Sequence, residues 1–316
     1  MVGSLTRSTL PPTRSPALVA AGPEQTALFH PAKAGWGLVK PNVIPGFGLT
    51  LGYTMVYLSL IVLIPLAALF IKSATLPLAE IVRIATSQRT LQALWVSFGS
   101  SLLAALVNLV FGVLLAWVLV RYKFIGRRLL DAIVDLPFAL PTAVAGIALS
   151  TIYADKGWIG WLVGANGPLH LGWKIAYTPS GIVIALIFIG LPFVVRTVQP
   201  VLEEFEQELE EAAATLGASR WQTIARVILP WLLPAILTGF ALAFARAVGE
   251  YGSVIFIASN IPNQSEIAPL LIVIKLEEFD VGGAAVIATI MLVVAFLMLL
   301  VINLIQAWAR KRYGDV

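Results

Sequence analysis

Two charged residues stand inside a run otherwise free of charge: Arg246 and Glu250, four apart within residues 231–258. At helical spacing they share one face. A charge at that depth is costly and normally faces a partner or a water-filled cavity. The chemistry this suits is the handling of an ion along a path, with Arg246, Glu250 and the neighbouring Tyr251 as candidates. An intrahelical ion pair that tunes packing explains the same spacing, so the residue types leave both readings open. Other chemistry finds fewer residues. The chain has no cysteine and two histidines, His30 and His170, far apart in polar connecting regions. That sets aside disulfides, thiol nucleophiles and zinc clusters, and no metal site is expected. No P-loop, dinucleotide glycine fingerprint or nucleophile elbow occurs, so any ATP hydrolysis falls to another chain.

The elements that would hold these residues are set by composition. A mean hydropathy of +0.91 with 12% charged residues over 316 residues describes a multi-spanning membrane protein. A membrane helix needs about 20 apolar residues. Six runs approach that length: 49–71, 93–120, 129–153, 178–199, 231–258 and 284–308. Fourteen lysines and arginines flank these runs on one side and six on the other, which predicts both termini in the cytoplasm. Residues 1–48 read as a cytoplasmic tail without fixed structure. The competing reading is an organellar transit peptide, because the tail is acid-poor and carries Ser and Arg. Residues 309–316 read as a short cytoplasmic C-tail. Prolines 137 and 141 in the third run and 192 in the fourth free backbone groups inside the membrane. A kink that fits the bundle and a broken helix beside a path are both open for Pro137, Pro141 and Pro192.

One segment is neither apolar nor a simple loop. Between Glu203 and Glu211 stand six glutamates, followed by alanines, Gly217, Trp221 and Leu229-Pro230. Phe205, Leu209, Ala212 and Leu216 recur at helical spacing and predict a short amphipathic helix. Gly217 stands where a left-handed C-terminal residue belongs, and Ser219 with Gln222 forms a capping-box pattern. Trp221, Ile224 and Ile228 give a second helix its apolar face, with Pro230 introducing the next span. Such a pair is marginal alone in water, so its apolar faces need a neighbour.

The order Glu211-Ala212-Ala213, three residues, Gly217, nine residues, Val227, one residue, Leu229-Pro230 resembles the EAA loop of binding-protein-dependent ABC transporter permeases. Valine stands where that pattern has isoleucine. The resemblance implies an all-α membrane protein of six transmembrane helices, a type I ABC importer permease-like bundle over 49–308. In it 203–230 is a cytoplasmic helix-turn-helix coupling loop, with Glu211, Ala212, Ala213, Gly217, Ala218, Trp221, Leu229 and Pro230 docking on an ATP-binding subunit. Further stretches, among them 135-DLPFALPTAVAGIALSTIYA-154, 245-ARAVGEYGSVIFIASNIP-262 and 266-EIAPLLIVIKLEEFD-280, look like the T-type permease subunits of bacterial sulfate/thiosulfate importers. That family implies a second sulfate permease as heterodimer partner, two copies of the ATPase carrying ATP and magnesium, an extracytoplasmic sulfate-binding protein and no nucleic acid. It implies a bacterial inner membrane location, the chloroplast envelope being the alternative. Molybdate or tungstate permeases are the rival within the class, and a stand-alone secondary transporter is the rival outside it.

Overall fold

The computed structural model describes residues 47–165 and 167–313. The tail expected over 1–48, His30 within it, falls outside the described residues up to residue 46, as do the last three residues of the C-tail. The chain divides into two compact units, Met1–Tyr57 and Leu58–Val316. Within the first, the described residues are 47–57, all but the last residue of helix α1 (Phe47–Leu58), and all of them are exposed.

The second unit opens on a π-helical turn, Ser59–Leu63, and continues as α2 (Ile64–Ala74), α3 (Leu78–Ala85), α4 (Gln88–Arg121), α5 (Arg127–Ala139), α6 (Thr142–Tyr153) and α7 (Trp158–Val163). Then follow α8 (Pro179–Glu203), α9 (Gln207–Thr215), α10 (Arg220–Thr223), a second π turn (Ile224–Ile228), α11 (Leu229–Val248), α12 (Val254–Ile257), α13 (Ala268–Glu277) and α14 (Val281–Tyr313). All regular structure among the described residues is helical. Helix α14 runs through Tyr313, so residues 309–313 of the expected C-tail continue the helix of the last span.

Five helical stretches among the described residues are long and apolar enough to cross a membrane: Phe47–Ala74, Gln88–Arg121, Pro179–Glu203, Arg220–Val248 and Val281–Ala309. The third expected run is not straight. Helix α5 and the stretch Thr142–Val163 meet at 117°, and they count as a sixth span when taken together. Pro141 causes the break: it has no N–H to continue the ladder, and it holds the preceding Leu140 extended at φ −88°, ψ 134°. The fifth run is also shorter than expected, because α11 ends at Val248 and residues 249–258 form a turn and α12.

Both π turns end two residues before a proline, Pro65 and Pro230. A proline ring clashes with the carbonyl four residues back. Those carbonyls, of Ile61 and Arg226, lie inside the wider π turns, and the helices run on without a break.

At the centre α8 packs between α4 and α11. Val194, Val195 and Val198 of α8 meet Ala116 and Leu119 of α4 and Ile236 and Ala243 of α11. In lipid, close approach through small residues supplies association that apolar burial alone does not. Gly190 illustrates it: a Cβ there would run into the amide of Asn108. Ala241, Ala245, Gly249 and Ser253 also recur at four-residue spacing, but they do not form one packed surface within the chain. Ala245 and Gly249 are exposed and Ser253 lies beyond the helix. The close approach of α11 falls at Gly239, whose added Cβ would sit 3.0 Å from Val194 Cα.

Candidate functional site

The acidic segment folds as a hairpin of helices. Helix α9 begins after a bend at 204–206, with Glu208 and Glu210 in its first turn, where carboxylates favour the positive helix end. It closes in a Schellman motif: Gly217 adopts φ +80°, its N–H donates to Ala214 O at 3.0 Å, and Ala218 N–H donates to Ala213 O at 3.0 Å. Ser219 N–H then donates to Gln222 Oε1 at 2.8 Å while Gln222 N–H donates to Ser219 Oγ at 3.4 Å, a complete capping box. The second arm is no separate helix. Helix α10, the π turn and α11 form one rod, Arg220–Val248, because the π turn carries the chain past Pro230.

The apolar faces point differently from the sequence expectation. Phe205 precedes α9 and is buried, edge-on to Trp231 with ring centroids 5.9 Å apart. Leu209, Ala212 and Leu216 face outward, Leu216 at 89% exposure, while Glu210 and Ala213 turn toward the body. Ile224 and Ile228 join the core, but Trp221 stands out at 75%. The outer surface of the hairpin therefore shows Leu209, Leu216 and Trp221 beside the exposed Glu211. Leu229 is exposed and Ala218 and Pro230 are half-buried.

On the inner side, the Arg121 guanidinium at the end of α4 pairs with the Glu210 carboxylate. It lies over two rings, 5.4 Å from the Trp117 centroid and 5.7 Å from that of Phe205.

At the other end of α11, Arg246 Nη1 lies 2.6 Å from Glu250 Oε2. The pair forms without a shared helix face, since α11 has already ended. Glu250 is 4% exposed. Its Oε1 accepts from Ser253 N–H at 2.9 Å and from Ser253 Oγ at 3.1 Å, which fixes the turn that starts α12. The turn lies against α6: an added Cβ on Gly146 would overlap the Ser253 backbone, and one on Gly252 would overlap Thr142 Oγ1. Tyr251 packs half-buried on the neighbouring core. Pro141 stands next to this contact, being the N-cap of α6. Pro137 and Pro192 stay inside α5 and α8 and mark a different place, the crossing where Phe138 meets Phe193 edge-on at 5.1 Å. The structure thus groups Arg246, Glu250, Tyr251 and Pro141, and sets Pro137 and Pro192 apart.

Two clusters escaped sequence reasoning. Arg196 of α8 grips α5: its Nε and Nη2 donate to the two carboxylate oxygens of Asp135 at 2.7 and 2.6 Å, and Nη1 donates to Asp131 Oδ1 at 2.7 Å. Asp131 and Asp135 are therefore partners of α8 rather than interfacial charges alone. Arg89 forks onto buried Glu266 at 2.8 and 2.7 Å, joining the start of α4 to the loop before α13. Near that helix's end, Lys275 donates to Glu278 at 2.9 Å and pairs with Asp280 at 3.4 Å, which raises its pKa above the ordinary 10.5. Among the described residues no group of three His, Cys, Asp or Glu is placed to hold a metal.

Residues 108–315 match the family described as binding-protein-dependent transport system inner membrane component. A probable sulfate transport system permease protein cysT of Nephroselmis olivacea is 53% identical over 262 residues, covering 83% of this chain and 90% of that protein. The sulfate transport system permease proteins CysT of Synechococcus elongatus and Escherichia coli are 52% and 47% identical, covering 83% and 86% of this chain and 92% and 96% of theirs. Among solved structures, a bacterial ABC transporter involved in import of the acidic polysaccharide alginate aligns with TM-score 0.68 at 18% identity, over 83% of this chain and 94% of that one. The same type of transporter in complex with an alginate pentasaccharide-bound periplasmic protein aligns at 0.62 and 20% identity, over 85% and 95%. These two likenesses bear on the fold.

Proposed function

The chain belongs to the family of binding-protein-dependent transport system inner membrane components, within it to the CysT sulfate permease proteins, and we propose that it carries sulfate or thiosulfate across the bacterial plasma membrane by alternating access, driven by a separate ATPase. The observation that carries the driven mechanism is the hairpin. Its turn is fully hydrogen-bonded, yet Leu209, Leu216 and Trp221 stay uncovered by the chain itself. A rigid element with an apolar outer face and acidic flanks fits a groove on a partner. The partner is an ATP-binding subunit, present twice and holding ATP and magnesium. A second sulfate permease completes the path, and an extracytoplasmic binding protein delivers the anion. The excess of lysine and arginine in the flanks supports cytoplasmic termini and a hairpin on the same side.

Along the path, Arg246 is the group left to meet an anion. Glu250 is saturated by Arg246 and Ser253, whereas the Arg246 side chain is 33% exposed and commits Nη1 alone to Glu250, leaving further donors of its five. Tyr251 and the break at Pro141 shape the route around it, and Pro137 and Pro192 mark the α5–α8 crossing farther along.

Uptake of labelled sulfate in cells lacking this chain and in complemented cells, with and without ATP depletion, tests the reading. ATP-dependent uptake restored by the chain and competed by thiosulfate upholds it. Restored molybdate uptake without sulfate uptake would move the substrate to that oxyanion, and uptake that survives ATP depletion would remove the ATPase from the mechanism.

A further inference from the structure

Movement of the hairpin can reach α11 through the backbone, because α10, the π turn and α11 are one rod. Helix α4 has no such continuity: it ends at Arg121, and the hairpin begins at Glu203. Helix α9 packs on α10 and the π turn, and its inner side overhangs a cavity of about 280 Å³ lined by Trp117, Glu210, Ala214, Thr223 and Ile224 among others. Arg121 of α4 pairs with Glu210, one of the residues that line it.

Its side chain is 15% exposed, and its Nε and Nη2 and the facing Glu210 Oε1 make no hydrogen bond among the described residues, so the pair is held as an ionic contact. Position is set instead by the rings of Trp117 and Phe205 and by the Glu210 carboxylate. A planar guanidinium makes both kinds of contact at once better than a lysine ammonium does. Phe205 in turn rests on Trp231 of α11. One side chain thereby joins α4, the bend after α8, the outer helix of the hairpin and, through Phe205, the foot of α11.

We propose that Arg121 is a positioning residue that latches α9 to α4 through Glu210, so that displacement of the hairpin moves α4 together with α11. This rests on the coupling role proposed above. Without the latch α9 would move while α4 stayed behind, and ATP would be hydrolysed with little transport.

The test uses the complex purified through this chain from its host membrane and reconstituted in vesicles, reading sulfate uptake per ATP hydrolysed. Arg121→Gln and Glu210→Gln should each retain the ATPase subunit and its hydrolysis while uptake per ATP falls about fivefold or more, the lower end of ordinary coupling factors. Arg121→Lys should fall less than Arg121→Gln, and the double Gln variant should be no worse than the poorer single, because both remove one interaction. Should Arg121→Gln fail to assemble, Glu210→Gln decides, since it leaves the ring stack intact. Uptake per ATP equal to the unaltered complex in Glu210→Gln overturns the latch. Gly217→Val is measured alongside. If it lowers uptake per ATP while the Gln variants do not, the latch alone is wrong; if it too transports normally per ATP, the coupling reading fails with it.

Discussion

The two ends of α11 are built on opposite terms. At its C-terminal end the chain satisfies the turn from within: Glu250 is buried with both oxygens engaged, and glycines at 146 and 252 let α6 touch the backbone of the turn. At its N-terminal end the rod runs out into a hairpin whose hydrogen bonds are complete but whose apolar side chains are left outside. A saturated end is an anchor, and an end with uncovered apolar groups awaits another protein. Stability and function should therefore separate along a single helix.

The sharpest way to break that contrast is Gly146→Val. The new side chain overlaps the backbone of Ser253, and the cost should reach about 3 kcal/mol or more. Loss of the monodisperse complex on size exclusion is expected, and normal yield with normal melting would mean that the anchor is soft. Glu250→Ala comes next. It leaves Arg246 unpaired and removes the acceptor for Ser253, an expected loss of about 3 kcal/mol, whereas Glu250→Gln keeps an acceptor for the turn and should lose less. Thermal melts of the two variants side by side check the order. At the other end, Trp221→Ser should change melting of the isolated chain by no more than about 0.5 kcal/mol, as exposed side chains do. It should nevertheless weaken retention of the ATPase subunit on purification. A stability loss as large as that of Glu250→Ala would erase the distinction between the ends.

The smallest effect extends the anchored side to α13. Lys275 has its pKa raised when folded, first by the hydrogen bond to Glu278 and then by Asp280. Its contribution is complete below the ordinary pKa of 10.5 and is lost as pH rises through the higher folded value. Melting at pH 9 to 12 of the chain and of Lys275→Met, compared at each pH, should show the difference shrinking as pH climbs.

What could be read in advance follows from how far apart the partners lie. The Schellman turn at Gly217 and the capping box at Ser219 involve residues within five positions of each other, and both form as the sequence pattern predicts. The apolar spans were legible for the same local reason. Arg196 with Asp135 and Arg89 with Glu266 are separated by 61 and 177 residues, and no local period connects them. Helix ends were misjudged where apolar character continues past a stop. Apolar character resumes over residues 254–258, but the carboxylate of Glu250 takes the Ser253 N–H that a longer helix would have used internally. The outward turn of Leu209, Leu216 and Trp221 could not be read from periodicity, which gives a face but not the side on which the body lies.

The π turns at Ser59–Leu63 and Ile224–Ile228 each hold one residue more than a regular winding would. That residue is slack in an otherwise stiff cable. Drawing it into α-helical winding lengthens the rod by about 1.5 Å and turns everything beyond it by about 100°. The slack at Ile224–Ile228 lies between the hairpin and α11, where a push is taken up as a turn of the shaft instead of a tilt.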